Sequence, residues 1–355
     1  MSLRERLLFV GVGQAGGNIA NQLEKRGYYA AYINTSSEDL STLETDPRNT
    51  FHIPTTSGCS KNKSKARLYV KKHHEGMLNH IRQNFPNQDI IFFVFSASGG
   101  TGAGIAPALL DVMSDEEEEE NKFKKYGAIM VLPSEDESIK CLTNGLNTYA
   151  ELTEIENLRS VFLIDNSKGD KLVLNSTFAR LFDKFICSGN PSARGNIDSD
   201  ELETLLTSKG VTTILPVKES EGGGLTLQDS VFVDYTSGCG YVGISCTDKN
   251  IEEEIKMLVE EEVGYPEDFF VGYTDKTNLV IITEMNYPDS MVKTFESVVK
   301  TKREEKNKNR EGSVRIKSSF ASQEIIEEPS FKPSKDKAKT KVKAENTVKK
   351  LSKWF

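Results

Sequence analysis

Cysteine is sparse in this chain: five in 355 residues (Cys59, Cys141, Cys187, Cys239 and Cys246), widely scattered and with no C-x-x-C pair. That argues against a disulfide framework or a cysteine zinc site, and reads as free thiols in a reducing cytoplasm. The four histidines, three of them at His73, His74 and His80, lack the acidic or cysteine spacing of a metal site and read as a solvated helix face. Long apolar runs are missing too. The first, residues 7–12, is too short for a signal-peptide core and is interrupted by Gly11, Gly13, Gly16 and Gly17. Nothing approaches the roughly 20 apolar residues of a membrane span. No G-x-x-x-x-G-K-[ST] occurs, which excludes a P-loop nucleotide site of the ordinary kind.

A net positive charge is found at one end only. The net charge is −8, yet residues 329–355 hold nine Lys against Asp336 and Glu345, a net of +7. The preceding 328 residues therefore carry −15. A body this acidic repels phosphate backbones, which argues against whole-body nucleic-acid binding, while a basic tail points to a partner of its own. The acidic run 115–120 reads as a solvated loop.

What is present is an alternation of short strands and amphipathic helices. Strand-like runs at 7–12, 30–34, 90–96, 128–132 and 161–165 are separated by helical patterns at 17–25, 66–84, 105–113 and 140–157. That order predicts an α/β fold with a parallel, doubly wound sheet. A helix over 175–188 carries Phe178, Leu181, Phe182 and Phe185, and a loop with Asn190, Pro191 and Gly195 follows. After a helix at 198–208, strands at 211–217, 230–235, 240–246 and 279–285, with a helix at 251–263, predict a smaller second α/β domain. A charged helix over 289–308 comes next. Beyond about residue 311, Ser, Lys, Glu and Pro dominate and predict disorder.

Two glycine loops stand between a strand and a helix. Gly11-Val-Gly13-Gln14-Ala15-Gly16 fits the dinucleotide fingerprint, in which glycines let a pyrophosphate approach a helix N-terminus. A nicotinamide oxidoreductase would also want an acid at the end of the second strand, where the sequence has Asn34-Thr35. The second loop, Ser96-Ala-Ser98-Gly99-Gly100-Thr101-Gly102-Ala103-Gly104, suits further phosphates held by backbone amides. The alternative is that both are simply tight strand–helix turns.

These residues resemble the tubulin/FtsZ family. Ser98–Gly104 looks like its signature loop and Gly11–Asn18 its first phosphate loop. The likeness continues through Ile33-Asn34-Thr35, Leu132-Pro133 with Glu137, Ile164-Asp165-Asn166 and Asn196-Ile-Asp198-Ser-Asp-Glu201. The resemblance implies a Rossmann-like GTPase domain over 1–174, a central helix (175–195), and a catalytic loop with a C-terminal domain (196–287). A helix (288–310) and a flexible basic tail (311–355) complete it. It implies a GTPase that polymerises head to tail in the cytoplasm, with GTP/GDP and Mg²⁺. Gly13, Gln14, Ala15, Asn18, Asn34, Ser98, Gly99, Gly100, Thr101, Gly102, Ala103 and Gly104 would surround the phosphates. Glu137 would contact ribose, Asn166 base or ribose. Phe178 and Asp183 would stack on guanine and accept its N1–H and N2–H. No metal ligand on the protein is implied with certainty.

The loop Asn196, Asp198, Glu201 would be catalytic, reaching the γ-phosphate on the next subunit, with Glu in place of the family's last Asp. Asp198 or Asn196 could equally be a helix N-cap, and both readings can hold together. The family's third phosphate loop is here Lys-rich: Thr55-Thr-Ser-Gly58-Cys-Ser-Lys61-Asn-Lys63-Ser-Lys65. Its lysines would sense the γ-phosphate by charge. The ending, Lys349-Lys350-Leu-Ser-Lys353-Trp354-Phe355, resembles the TubZ branch of plasmids and phages, which segregates DNA. A cell-division polymer of FtsZ type is the alternative. The tail would engage a DNA-bound adaptor protein.

Overall fold

The computed structural model describes residues 1–115, 121–189, 195–220, 222–274, 277–311 and 350–354. Among the described residues eleven strands form one sheet: β1 (Leu7–Val12), β2 (Tyr29–Asn34), β3 (Thr50–His52), β4 (Ile90–Ser96), β5 (Lys125–Leu132), β6 (Ser160–Asp165), β7 (Gly210–Glu219), β8 (Leu225–Leu227), β9 (Tyr241–Cys246), β10 (Asp268–Tyr273) and β11 (Leu279–Met285). Their order is β10-β9-β11-β7-β6-β5-β4-β1-β2-β3, with β8 on β7. From β3 to β7 every pairing is parallel, and β11 runs antiparallel between β7 and β9. The halves join through two paired positions only, Ser160 with Gly210 and Val161 with Val211.

The helices are α1 (Leu3–Arg6), α2 (Gly13–Glu24), α3 (Ser37–Ser41), α4 (Lys63–Asn84), α5 (Thr101–Met113), α6 (Ile139–Thr153), α7 (Lys171–Ile186), α8 (Ser199–Thr207), α9 (Lys249–Glu262) and α10 (Asp289–Glu311). α4 and α7 begin about a turn earlier than apolar periodicity predicts, because a capping side chain sets the boundary. Asn62 caps α4, Ser138 caps α6, and Asp170 caps α7 by accepting from Leu172 and Val173 N–H. The strand expected at 230–235 is instead an irregular segment. It pairs with β6 through a single bridge between Ile164 and Phe232, and the Phe232 ring packs on Phe162. β3, β8 and β10 were not predicted. The acidic loop beyond Asp115, the Asn190–Pro191 turn and most of the tail lie outside the described residues.

The core is built around α7. Phe178, Phe182 and Phe185 are fully buried, and Phe178 and Phe182 meet Phe162 and Phe92 or Phe232 at centroid distances of 5.7–6.2 Å. α7 starts after the C-terminal end of β6 and runs back across the sheet, about 24 Å for its 16 residues. It therefore delivers the chain to the edge where the parallel strands begin.

Candidate nucleotide-binding and catalytic site

The C-terminal ends of β1, β2 and β4 bring three loops together. Gly13 has φ +73°, and a Cβ there would lie 3.1 Å from the Gly102 amide nitrogen. Gly102 in turn lies against Val12, and Gly100 against Cys59 and Asn62 of the third loop. The Thr101 and Thr35 hydroxyls are hydrogen-bonded at 2.7 Å. Asn144, on α6, donates to the carbonyls of Ser98 (3.2 Å), Gly99 (3.1 Å) and Lys61 (3.1 Å), clamping two loops at once.

Not every glycine faces this cleft. A Cβ at Gly16 would sit 1.9 Å from the Val94 carbonyl oxygen, and one at Gly104 2.5 Å from Ala66 Cβ. These two let α2 ride on β4 and α4 on α5. Gly99 has nothing nearer than the Ser96 oxygen at 3.8 Å, so its surface is open. The tight-turn reading thus holds at Gly16 and Gly104, while Gly99 leaves open space beside its backbone.

The electrostatics come from the helix ends. α4, α6, α7, α8 and α9 are each capped by an Asn, Ser or Asp side chain. α2 and α5 begin at Val12 and Gly100, with no side-chain cap and no acid in the first turn. Their free N–H groups and positive dipole ends lie side by side in the loop cluster, an arrangement that attracts an anion. Gln14 is exposed there, with Ala15 and Asn18 partly so, while Ser98 and Ala103 are buried. Asn34 is buried and shapes the turn after β2, donating to Asp39 and accepting from Ser36 N–H. Farther along the same edge, the Asn166 Oδ1 is buried with no partner, an acceptor that a ligand donor would satisfy. Glu137 is ion-paired with Lys171 at 2.8 Å, at the first turn of α7, where Leu172 and Val173 are exposed.

Two expectations are corrected. Phe178 is sealed in the aromatic core, with no face to offer a base. Asp183 sits near the far end of α7, bound to Arg4 (2.7 Å) and to the Tyr28 hydroxyl (3.1 Å). Arg4 precedes β1 and Tyr28 precedes β2, so Asp183 is a strand length, about 20 Å, from the glycine loops. Burial and the Asp183 carboxylate push the Tyr28 hydroxyl well above its ordinary pKa, which keeps it a donor. The lysines of the third loop are also committed elsewhere. Lys61 reaches the Cys141 thiol, Lys63 reaches Thr148 and Glu151, and Lys65 reaches the Gly58 carbonyl. The loop meets the cleft with backbone strained at Thr55, Ser60 and Lys61, all at φ 48–60°.

The acidic loop lies at the opposite edge of the sheet. Asp198 caps α8, accepting from the N–H groups of Asp200 and Glu201 (both 2.9 Å), and Glu201 accepts from Asp198 N–H (2.8 Å). Asp198 is nonetheless exposed, and Asn196 and Glu201 partly so. α8 is fixed to that edge by Glu203, which holds Arg6 just before β1 and Lys125 at the start of β5.

At the chain end, Lys350 pairs with Asp115 and Lys353 with Asp111, both at 2.9 Å, and the Trp354 indole N–H donates to Asp111 (2.8 Å). Lys349 and Phe355 lie outside the described residues. Thr35, Asn144, Lys171 and Arg4 were not singled out from sequence. Only Thr35, beside Asn34, carried any signal.

Residues 6–173 match the GTPase domain of the Tubulin/FtsZ family, and residues 201–286 match the C-terminal domain of the tubulin-like protein TubZ. Tubulin-like protein TubZ of a Clostridium botulinum C phage is 32% identical over 311 residues, 84% of either chain. The crystal structure of Clostridium botulinum phage c-st TubZ superposes with TM-score 0.75 at 30% identity, over 85% of this chain and all of that one. A helical model of the two-stranded TubZ-Bt filament shares the fold at 16% identity, with TM-score 0.73 over 90% of this chain and 95% of that one.

Proposed function

Since the chain belongs to the tubulin/FtsZ family, we propose that it is a GTPase that assembles head to tail and hydrolyses GTP at the junction between subunits. One observation carries this: the uncapped ends of α2 and α5 lie at one edge of the sheet, and the exposed carboxylate of Asp198 at the other. No single chain can bring them together, but stacking one subunit's acidic edge on the next subunit's loop edge completes the site. Such a contact is heterologous, and its repetition gives an open filament.

Within that site, the first-turn amides of α2 and α5, with Thr101, hold the phosphates. Glu137 holds the ribose. Asn166, whose orphaned Oδ1 needs a donor, takes the base, which rests near the exposed first turn of α7. Asp198 and Glu201 of the neighbouring subunit, with Asn196, orient and polarise the attacking water. Mg²⁺ fits a site of amides and hydroxyls if phosphate oxygens and water supply its other ligands, and it would neutralise the β/γ oxygens. We take 1–174 as the nucleotide domain and 196–287 as the part that activates the neighbour.

The likeness to a phage TubZ supports a filament that moves plasmid or phage DNA in the cytoplasm, coupled through a DNA-bound adaptor to the basic tail. Among the described residues no helix is long and apolar enough to cross a membrane. Sedimentation and phosphate release with GTP and with ATP, across protein concentrations, test the reading. Pelleting and turnover with GTP only, above a threshold concentration, are expected. Turnover strictly proportional to protein concentration, or equal use of ATP, would overturn it.

A further inference from the structure

The last described residues are seated on the body. Leu351 is 1% exposed and belongs to the main core cluster. The Arg67 guanidinium lies over the Trp354 ring at 4.2 Å, and Arg67 also donates to the Trp354 carbonyl. Asp111, on α5, is 3% exposed, and its carboxylate binds both the Lys353 ammonium (2.9 Å) and the Trp354 indole N–H (2.8 Å). Lys350 binds Asp115 just beyond the same helix. The contact therefore reads a pattern rather than a charge: two lysines three residues apart, an apolar residue between them, and an indole whose ring and N–H are both used.

We propose that the α4–α5 surface is a receptor for the chain's own C-terminus, an intramolecular latch that withholds the basic, aromatic end from any other partner while seated. The 38 residues 312–349 have a contour of about 125 Å, ample to join the end of α10 to this seat. Seat and end belong to one chain, so docking is unimolecular and its occupancy does not depend on protein concentration. A partner must then bind the unseated fraction, and its apparent affinity falls in proportion to that fraction. The seat also adjoins the loop cluster. Arg67 and Lys63 share Glu151, and Lys63 opens α4 against Gly104. What is withheld rests on the proposed tail partner, whereas the docking does not.

Trp354 is the sole tryptophan, so the full chain reports its own latch. In GDP, below the assembly threshold, the indole emission is expected to be blue-shifted and poorly quenched by acrylamide at every protein concentration. Asp111→Asn and, separately, Lys353→Glu should shift emission to the red and raise the quenching constant severalfold. Lys353 is exposed, so Lys353→Glu cannot unfold the body; if Asp111→Asn loses helical signal, Lys353→Glu alone decides. Free-tryptophan quenching in the unaltered chain, or none of these changes in Lys353→Glu, would overturn the latch. So would quenching that falls as concentration rises, because docking would then be between chains. No adaptor is present in the assay, so failure here is distinct from failure of the partner reading.

Discussion

Asp198→Asn separates what Asp198 does for α8 from what it does for GTP. In the structure its Oδ1 accepts two backbone N–H groups, which an Asn amide oxygen can also accept. Asn caps helices about as well as Asp, so the cost to stability is a few tenths of a kcal/mol. Asp198→Ala loses both hydrogen bonds and costs about 1 kcal/mol, a fall in Tm of about 1–3 °C. Turnover should not separate the two. Both lose the carboxylate that polarises water, and both should fall by about 10²–10⁴-fold, the usual worth of a positioned base. Nucleotide binding should be unchanged in both, because the loops lie at the other edge. The decisive assay mixes Asp198→Asn with Gly99→Val, which cannot bind nucleotide but keeps its acidic loop. Phosphate release should partly recover, as Gly99→Val subunits serve nucleotide held by Asp198→Asn subunits. Full turnover by Asp198→Asn alone, or no recovery in a mixture shown to co-assemble, would refute the shared site.

Asp183→Asn should leave the preference for GTP over ATP unchanged and lower stability by about 1 kcal/mol through the weakened Arg4 and Tyr28 contacts; competition binding and thermal melts measure both. Gly16→Ala should destabilise by at least about 1–3 kcal/mol, since its Cβ would collide with the Val94 carbonyl, as urea titration would show. Gly99→Ala should melt normally but weaken nucleotide binding, because space there is open in the chain alone. Burial pushes the Lys63 ammonium down to about 8, against an ordinary 10.5. Between those values the unfolded chain holds more protons, so this group's contribution to stability rises with pH. In urea titrations at pH 8 and 10, Lys63→Met should lose that rise relative to the unaltered chain.

The sequence was legible where local pattern and final environment agree. The apolar runs at 7–12 and 90–96 are β1 and β4 to the residue, because these buried strands have almost no polar alternation to blur their ends. Helix starts were missed where a capping side chain, and not the apolar stripe, sets the boundary, as at Lys63 and Lys171. β10 escaped notice because its residues are mostly half-buried at the sheet's edge and two adjacent Phe break the alternation. The guanine assignment failed for a related reason. Phe178 and Asp183 have a suggestive spacing, but the same helical face that makes Phe178 prominent is the one α7 turns into the core. Partner choice over long separations, as in Arg4 with Asp183 or Asn144 with Gly99, leaves no local trace.

The charge asymmetry shows the same limit with a larger consequence. In sequence, +7 in the last 27 residues against −15 before them suggests two separate clients. In space, some of that basic charge is neutralised by the body itself, because Lys350 and Lys353 lie against Asp115 and Asp111. The acids of these pairs are more sheltered than the lysines, Asp111 being buried, so the pairs are screened less than two fully exposed charges would be. A basic tail on an acidic body is thus a competition and not a simple address. Whatever the tail binds in the filament must outcompete the surface that holds it in the monomer, and many tails presented along one polymer are a means by which weak contacts could do so.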